Sequence, residues 1–233
     1  MGVVVVIIAI EGIDGSGKGT HAKRVEAKLK ELGKTVTLFS FPRYQETEFG
    51  AAVGEYLNGD FGKDVHPKLA SVLYAVDRFE SRGVVRAHNV VQDVVVCDRY
   101  VPSNLAHQCA KICDCDPAVD EGMDLFRWIL EMEHKTFNLP RPDMVICLDL
   151  PVKLACKLIE LKRKRAYTDK KADLHEADHK YLEAVRRWYQ RIGDELLYVP
   201  KWRTVNVHED DEIRPVDDVF EDVWAEVSSV LPS

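Results

Sequence analysis

The chain has 233 residues, of which 46% are hydrophobic and 30% charged. Apolar burial on that scale can offset chain entropy, so the disordered and fibrous classes are excluded, and the length suits one domain over 1–233. The 32 Lys and Arg against 39 Asp and Glu give a formal charge of -7, which argues against general binding to nucleic acid or an anionic membrane and leaves the basic residues to act locally.

The first apolar run, Val3 to Ile10, reads as a buried strand. At eight residues it falls far short of the roughly 20 that a membrane helix needs, and no basic segment precedes it, so it reads as neither anchor nor signal. It gives way to Glu11-Gly-Ile-Asp-Gly-Ser-Gly-Lys-Gly-Thr20 and then to helical spacing over Lys18 to Leu32, closed by Gly33. Four more apolar runs follow, at Thr35 to Phe39, Asp93 to Cys97, Met144 to Leu150 and Thr204 to Val207. Between them, helical spacing covers Glu48 to Asn58, Pro67 to His88, Asn104 to Ile112, Pro117 to Phe137, Val152 to Arg163 and Asp173 to Leu197, and Pro215 opens a last helix. The alternation predicts an α/β fold with a five-stranded parallel sheet and helices on both faces. Six cysteines (Cys97, Cys109, Cys113, Cys115, Cys147, Cys156) are sparse for this length, and two sit in strand-like runs. They point to a reduced, intracellular protein, with cytoplasmic location as the expectation and nuclear or organellar presence left open.

Three stretches carry chemistry. In the glycine-rich loop, Gly12, Gly15, Gly17 and Gly19 let the backbone turn tightly and aim amide N–H groups at phosphate oxygens, and Lys18 adds a charge where the helix begins. The Walker pattern has Ser or Thr directly after the lysine. Here Gly19 stands there and Thr20 follows. Asp98 ends the third apolar run, so its carboxylate belongs at the carboxyl edge of a parallel strand, where ligands bind, with Arg99 and Tyr100 beside the cradle. Phe41-Pro-Arg-Tyr44 follows the second strand, and Tyr74 and Arg78 share a helical face, where a ring and a guanidinium suit a planar base.

The cradle, Phe41-Pro-Arg-Tyr44, Asp98-Arg-Tyr-Val-Pro-Ser-Asn104 and Leu139-Pro-Arg-Pro-Asp143 occur in one order along the chain, and in this the sequence resembles thymidylate kinases from the first strand to about Tyr189. The resemblance implies a P-loop kinase fold with a short lid at about 162–173 and transfer of the γ-phosphoryl group of ATP to dTMP, giving dTDP and ADP. It also implies Mg²⁺ as cofactor and a homodimer, with neither nucleic acid nor membrane as a partner. By the same resemblance Gly15, Ser16, Gly17, Lys18, Gly19 and Thr20 hold ATP. Asp14 contacts the acceptor sugar and helps place magnesium with Thr20, Asp98 and Glu176, some of them through water. Tyr74 stacks on thymine, and Arg78 and Asn104 hydrogen-bond it. Arg99, with Phe41, Pro42 and Tyr44, surrounds the acceptor phosphate, and Ser103 belongs to the same pocket. For Arg43 the matter stays open, because neighbouring positions serve that purpose in different relatives. His107 falls where relatives carry an aromatic residue near the sugar. Lys18, Arg99 and Asp14 form the catalytic group together with a lid arginine, Arg163 or Arg165, because relatives without an arginine in the loop carry it on the lid and Gly15 fills the loop position.

Other readings compete. A pyrimidine monophosphate kinase with broader acceptor use (dUMP, dCMP, UMP) is favoured if His107 widens the sugar pocket or alters base choice. A GTP-binding switch lacks its Asn-Lys-x-Asp signature in this chain. His175-Glu-Ala-Asp-His179 satisfies the zinc-peptidase pattern H-E-x-x-H, in a charged setting with no evident third ligand.

Overall fold

In the computed structural model, which describes residues 5–62, 64–88, 93–113, 120–166, 179–195, 197–199 and 201–231, every residue of strand β1 (Val6–Glu11) is buried. Alternate strand side chains point to opposite faces, so both faces of this strand are covered. With β2 (Val36–Ser40), β3 (Val94–Asp98), β4 (Met144–Asp149) and β5 (Trp202–Asn206) it forms a sheet in the order β2-β3-β1-β4-β5, parallel throughout. The central position of β1 follows from its uninterrupted apolar run, as only a strand with two neighbours and two covered faces loses all contact with water.

Helix α1 (Lys18–Glu31) lies against β1, β2 and β3. Its end is set by Gly33 at φ 75°, which lets Gly33 N–H reach the Lys30 carbonyl at 2.9 Å and Lys34 N–H the Leu29 carbonyl at 3.1 Å. Helices α2 (Glu48–Asn58) and α3 (Pro67–His88) pack on one another, and α4 (Val101–Cys109) meets α3, α5 (Asp120–Glu131) and α7 (His179–Asp194). Helix α6 (Val152–Ala166) follows β4, and α8 (Val216–Ser228) covers α1 and β5. The five expected strands are all present. Several features depart from expectation: α4 spans Val101–Cys109 rather than Asn104 to Ile112, α5 runs on into a π-helical turn over Met132–Thr136, α6 extends past Arg163 to Ala166, into the stretch expected to open the lid, and two short strands, β6 (His208–Glu209) and β7 (Glu212–Ile213), form a hairpin. Among the described residues no helix is long and apolar enough to cross a membrane. Cys97, Cys109, Cys113, Cys147 and Cys156 are free thiols.

Two long-range pairs tie the sheet ends. Asp143 accepts from Ile7 N–H at 2.8 Å where β4 begins, so the Leu139-Pro-Arg-Pro-Asp143 motif locks the start of β4 to β1, at the sheet end opposite the cradle. At the carboxyl end of β4, Arg186 of α7 donates to both Asp149 oxygens at 2.7 Å, a bidentate pair that fixes α7 to the strand.

His21 of α1 is 3% exposed and stacks on Phe220 of α8 with ring centroids 6.3 Å apart. Burial, with Arg24 nearby, pushes its pKa down to about 4 from 6.5. The folded state therefore takes up this proton later than the unfolded chain does. The stability contributed is whole above about pH 6.5 and is lost as pH falls through about 4, about 3 kcal/mol in all. A His21→Leu variant should lose correspondingly less stability between pH 7 and pH 4 in urea titrations, and equal losses in the two proteins would reject this role.

Candidate active site

The site begins where β1 runs out. Gly12 takes φ 137°, and a Cβ there would stand 2.5 Å from the Leu148 carbonyl of β4, so the loop is pressed between two strand ends and only glycine fits. Gly15 and Gly17 follow at φ 84° and 90°, and Gly17 caps α1. Ser16 and Lys18 are buried in this turn. The Lys18 ammonium donates to the Ile13 carbonyl at 2.7 Å and lies 4.0 Å from Asp14. Burial first, then Arg99, pushes the Lys18 pKa down to about 8 against the pull of Asp14, Asp98 and Glu11. An arriving polyanion therefore restores full charge to this lysine.

From the neighbouring β3, Asp98 and Arg99 reach the same edge. Arg99 is held at φ 67°, uncommon outside glycine, by its N–H to the Ile10 carbonyl at 3.0 Å. Its guanidinium donates to Ser103 Oγ at 2.9 Å and to the Asp14 carboxylate. Burial would raise the Asp14 pKa, but Arg99 and Lys18 outweigh it and hold the carboxyl well below its usual range. Behind Arg99 lies Glu11, fully buried, which accepts from Tyr100 N–H and Ser103 Oγ at 2.6 Å and from the Tyr189 hydroxyl at 3.0 Å.

A cleft of about 180 Å³ opens beside Asp14 and Arg99. Phe41, Pro42, Tyr44 and Leu57 line it, as do Tyr74 and Arg78 of α3 and Ser103, Asn104, His107 and Gln108 of α4. Tyr74 stands edge-on to Tyr56 with centroids 6.4 Å apart. Arg78 is paired with Glu133, and His107 Nδ1 lies 2.9 Å from the Tyr181 hydroxyl of α7. A phosphate cradle thus shares two charged residues with a second, aromatic-walled pocket.

A family model described as thymidylate kinase matches residues 10–198. The chain is 30% identical to a thymidylate kinase of Mycobacterium tuberculosis over 70% of its length and 73% of that protein. It is 29% identical to a probable thymidylate kinase of Pyrococcus horikoshii over 96% of both chains. The chain belongs to the thymidylate kinase family. It is accordingly a nucleoside monophosphate kinase, a phosphotransferase, on the P-loop kinase fold. A solved structure of thymidylate kinase from Candida albicans superposes with a TM-score of 0.71, covering 96% of this chain and 91% of that one, at 24% identity.

Within this thymidylate kinase fold the expected residues divide in three. Asp14, Phe41, Pro42, Tyr44, Tyr74, Arg78, Arg99, Ser103, Asn104 and His107 converge on the cleft, and Gly15 to Gly19 form the cradle. Arg43 engages elsewhere, on Ser81 at 2.9 Å and on Glu46, with its guanidinium over Phe39. Glu176, His175 and the segment 167–178 lie outside the described residues, as do the side chains of Arg163 and Arg165, whose backbone ends α6. His179, the other histidine of the peptidase pattern, opens α7 with Nε2 3.4 Å from Cys156 Sγ.

Thymidylate kinases use ATP with a metal ion, and the residues present fit a hard divalent cation. A Cβ on Gly19 would lie 2.9 Å from Asp98 Oδ2, so the space of the missing Walker hydroxyl faces a carboxylate, a hard oxygen donor. Thr20, the next residue, is exposed, one step of about 100° round α1 from that point. Asp14 is committed to Arg99. Glu11, Glu133, Tyr181 and Tyr189 were not legible as site residues, because an acid or aromatic within an apolar pattern gives no local sign of a partner dozens of positions away.

Proposed function

We propose that the protein transfers the γ-phosphoryl group of ATP to dTMP, giving dTDP and ADP. The observation that carries this reading is one cleft lined both by Asp14 and Arg99, beside the phosphate cradle, and by Tyr74, Arg78 and Asn104. That lining suits a nucleotide lying with its phosphate toward Arg99 and its planar base against Tyr74. The buried Asn104 Oδ1 has no hydrogen-bond partner among the described residues and awaits a donor such as the N3–H of thymine.

A monophosphate has its second pKa near about 6, so at neutral pH it is mostly dianionic and attacks without a general base. Catalysis then consists of alignment and charge neutralisation. The cradle amides and Lys18 hold the donor phosphates. Arg99, fixed by Ser103 and Asp14, steers the acceptor phosphate. Asp98 would hold Mg²⁺, which would supply neutralisation of donor phosphate charge. The segment at about 162–173 acts as the lid that excludes water, and it supplies the arginine. Exposed Leu69 on α3 supports pairing with a second copy along that helix. A cytoplasmic location accords with free buried thiols.

Steady-state kinetics with ATP and a panel of dTMP, dUMP, dCMP, UMP and AMP test this reading. The highest kcat/KM is expected for dTMP, and another leading acceptor would replace the substrate assignment.

A further inference from the structure

Behind the cleft, Glu133 is wholly buried on the π-helical turn that prolongs α5, and its carboxylate meets two pocket residues at once. Arg78 donates through Nε to Oε2 at 3.0 Å and through Nη2 to Oε1, a forked pair. Asn104 donates through Nδ2 to the same Oε1 at 2.8 Å and to the Ser71 carbonyl at 3.0 Å. A carboxylate paired with arginine and a backbone carbonyl can only accept, so both must face the nitrogen of the Asn104 amide and never its oxygen. The amide is thereby oriented, and Oδ1 is the atom left over, buried and without a partner among the described residues. On Arg78, Nε and Nη2 are taken, while Nη1 makes no hydrogen bond among the described residues.

The cleft consequently offers a donor from Arg78 beside an acceptor from Asn104. A keto pyrimidine presents the complement, with its C4 carbonyl accepting and its N3–H donating. Cytosine presents the reverse, an exocyclic amino donor and an N3 acceptor, and would set donor against donor and acceptor against acceptor. We propose that Glu133 is a specificity-determining positioning residue, which fixes Arg78 and the Asn104 amide so that the pocket accepts keto pyrimidines and rejects cytosine. The proposal rests on the reading of this cleft as the dTMP site. It assigns the discrimination to a residue that touches no substrate.

The test is Glu133→Gln, assayed with dTMP and dCMP side by side for KM and kcat, with a thermal melt as control. A glutamine amide can donate to Asn104 Oδ1, and it removes the charge that holds Arg78. The ratio of kcat/KM for dTMP over dCMP is expected to narrow about tenfold, the worth of one misdirected hydrogen bond, chiefly through a raised KM for dTMP. A ratio within twofold of the parent, however far both efficiencies fall together, would show a merely structural role and overturn the proposal. Should the variant not fold because Arg78 is left as a buried unpaired charge, Glu133→Asp is used, which keeps the charge but draws the carboxylate back from Arg78 and Asn104. The ratio should narrow there too, and an unchanged ratio overturns the proposal. A parent enzyme that does not prefer dTMP to dCMP refutes the substrate reading itself, before any variant is made.

Discussion

Alanine at both Arg163 and Arg165 is expected to lower kcat by about a thousandfold while dTMP affinity stays within about threefold of the parent. Gly15 sits at φ 84° with the place of its Cβ 2.6 Å from the Ala155 carbonyl and 3.1 Å from Ile159 Cγ1 of α6. An arginine could not stand in the loop at this position without displacing that helix. An arginine for the transferring group would have to come from elsewhere. Helix α6, which bars a side chain from the loop, runs on to Ala166 and reaches Arg163 one turn after Ile159. Turnover measured at saturating ATP and dTMP, with dTMP binding followed by calorimetry, separates the two effects. Undiminished turnover in the double variant would remove the lid arginines from the mechanism.

Lys18→Met should lower kcat by about a hundred- to a thousandfold, the effect of losing one preorganised positive donor from a dry site. Methionine keeps the length and apolar stem of the side chain, so packing in the 6%-exposed position is largely retained. What disappears is the ammonium that donates to the Ile13 carbonyl in the free enzyme and is available to donor phosphates. Single-turnover kinetics would read the chemical step directly. A loss smaller than tenfold would mean that the backbone amides alone hold the phosphates in line.

The sequence was most informative where structure is decided locally. Helices α2 and α3 have the bounds their spacing predicts, because Thr47 caps the first through its hydroxyl to Gly50 N–H at 2.9 Å, Gly59 ends it in the left-handed region, and Pro67 opens the second. Helix α4 starts three residues ahead of its helical spacing for a related reason: the proline in Val101-Pro102 begins it. The π-helical turn was hidden, since one widened turn barely disturbs the apolar period. The cradle was legible because its glycines and lysine lie within nine residues, Gly12 to Lys18 among them. The wiring behind it was not. Glu133 lies 55 positions from Arg78 and Tyr189 lies 178 from Glu11, and such pairs exist only once the sheet has assembled. The Leu139-Pro-Arg-Pro-Asp143 motif shows the converse, a strong family mark whose aspartate holds strand ends together and touches no part of the cleft.

The pair formed by Asp14 and Arg99 gives the guanidinium an internal counter-ion. Any free anion from solution must displace a carboxylate tethered in place at a high effective concentration, a contest that small ions such as sulfate or stray phosphate enter at a disadvantage. A phosphate delivered on a nucleoside competes differently, since anchoring of its base and sugar supplies the free energy to exchange one partner of Arg99 for another. Selectivity for the whole nucleotide is in this way written into a contact made before it arrives.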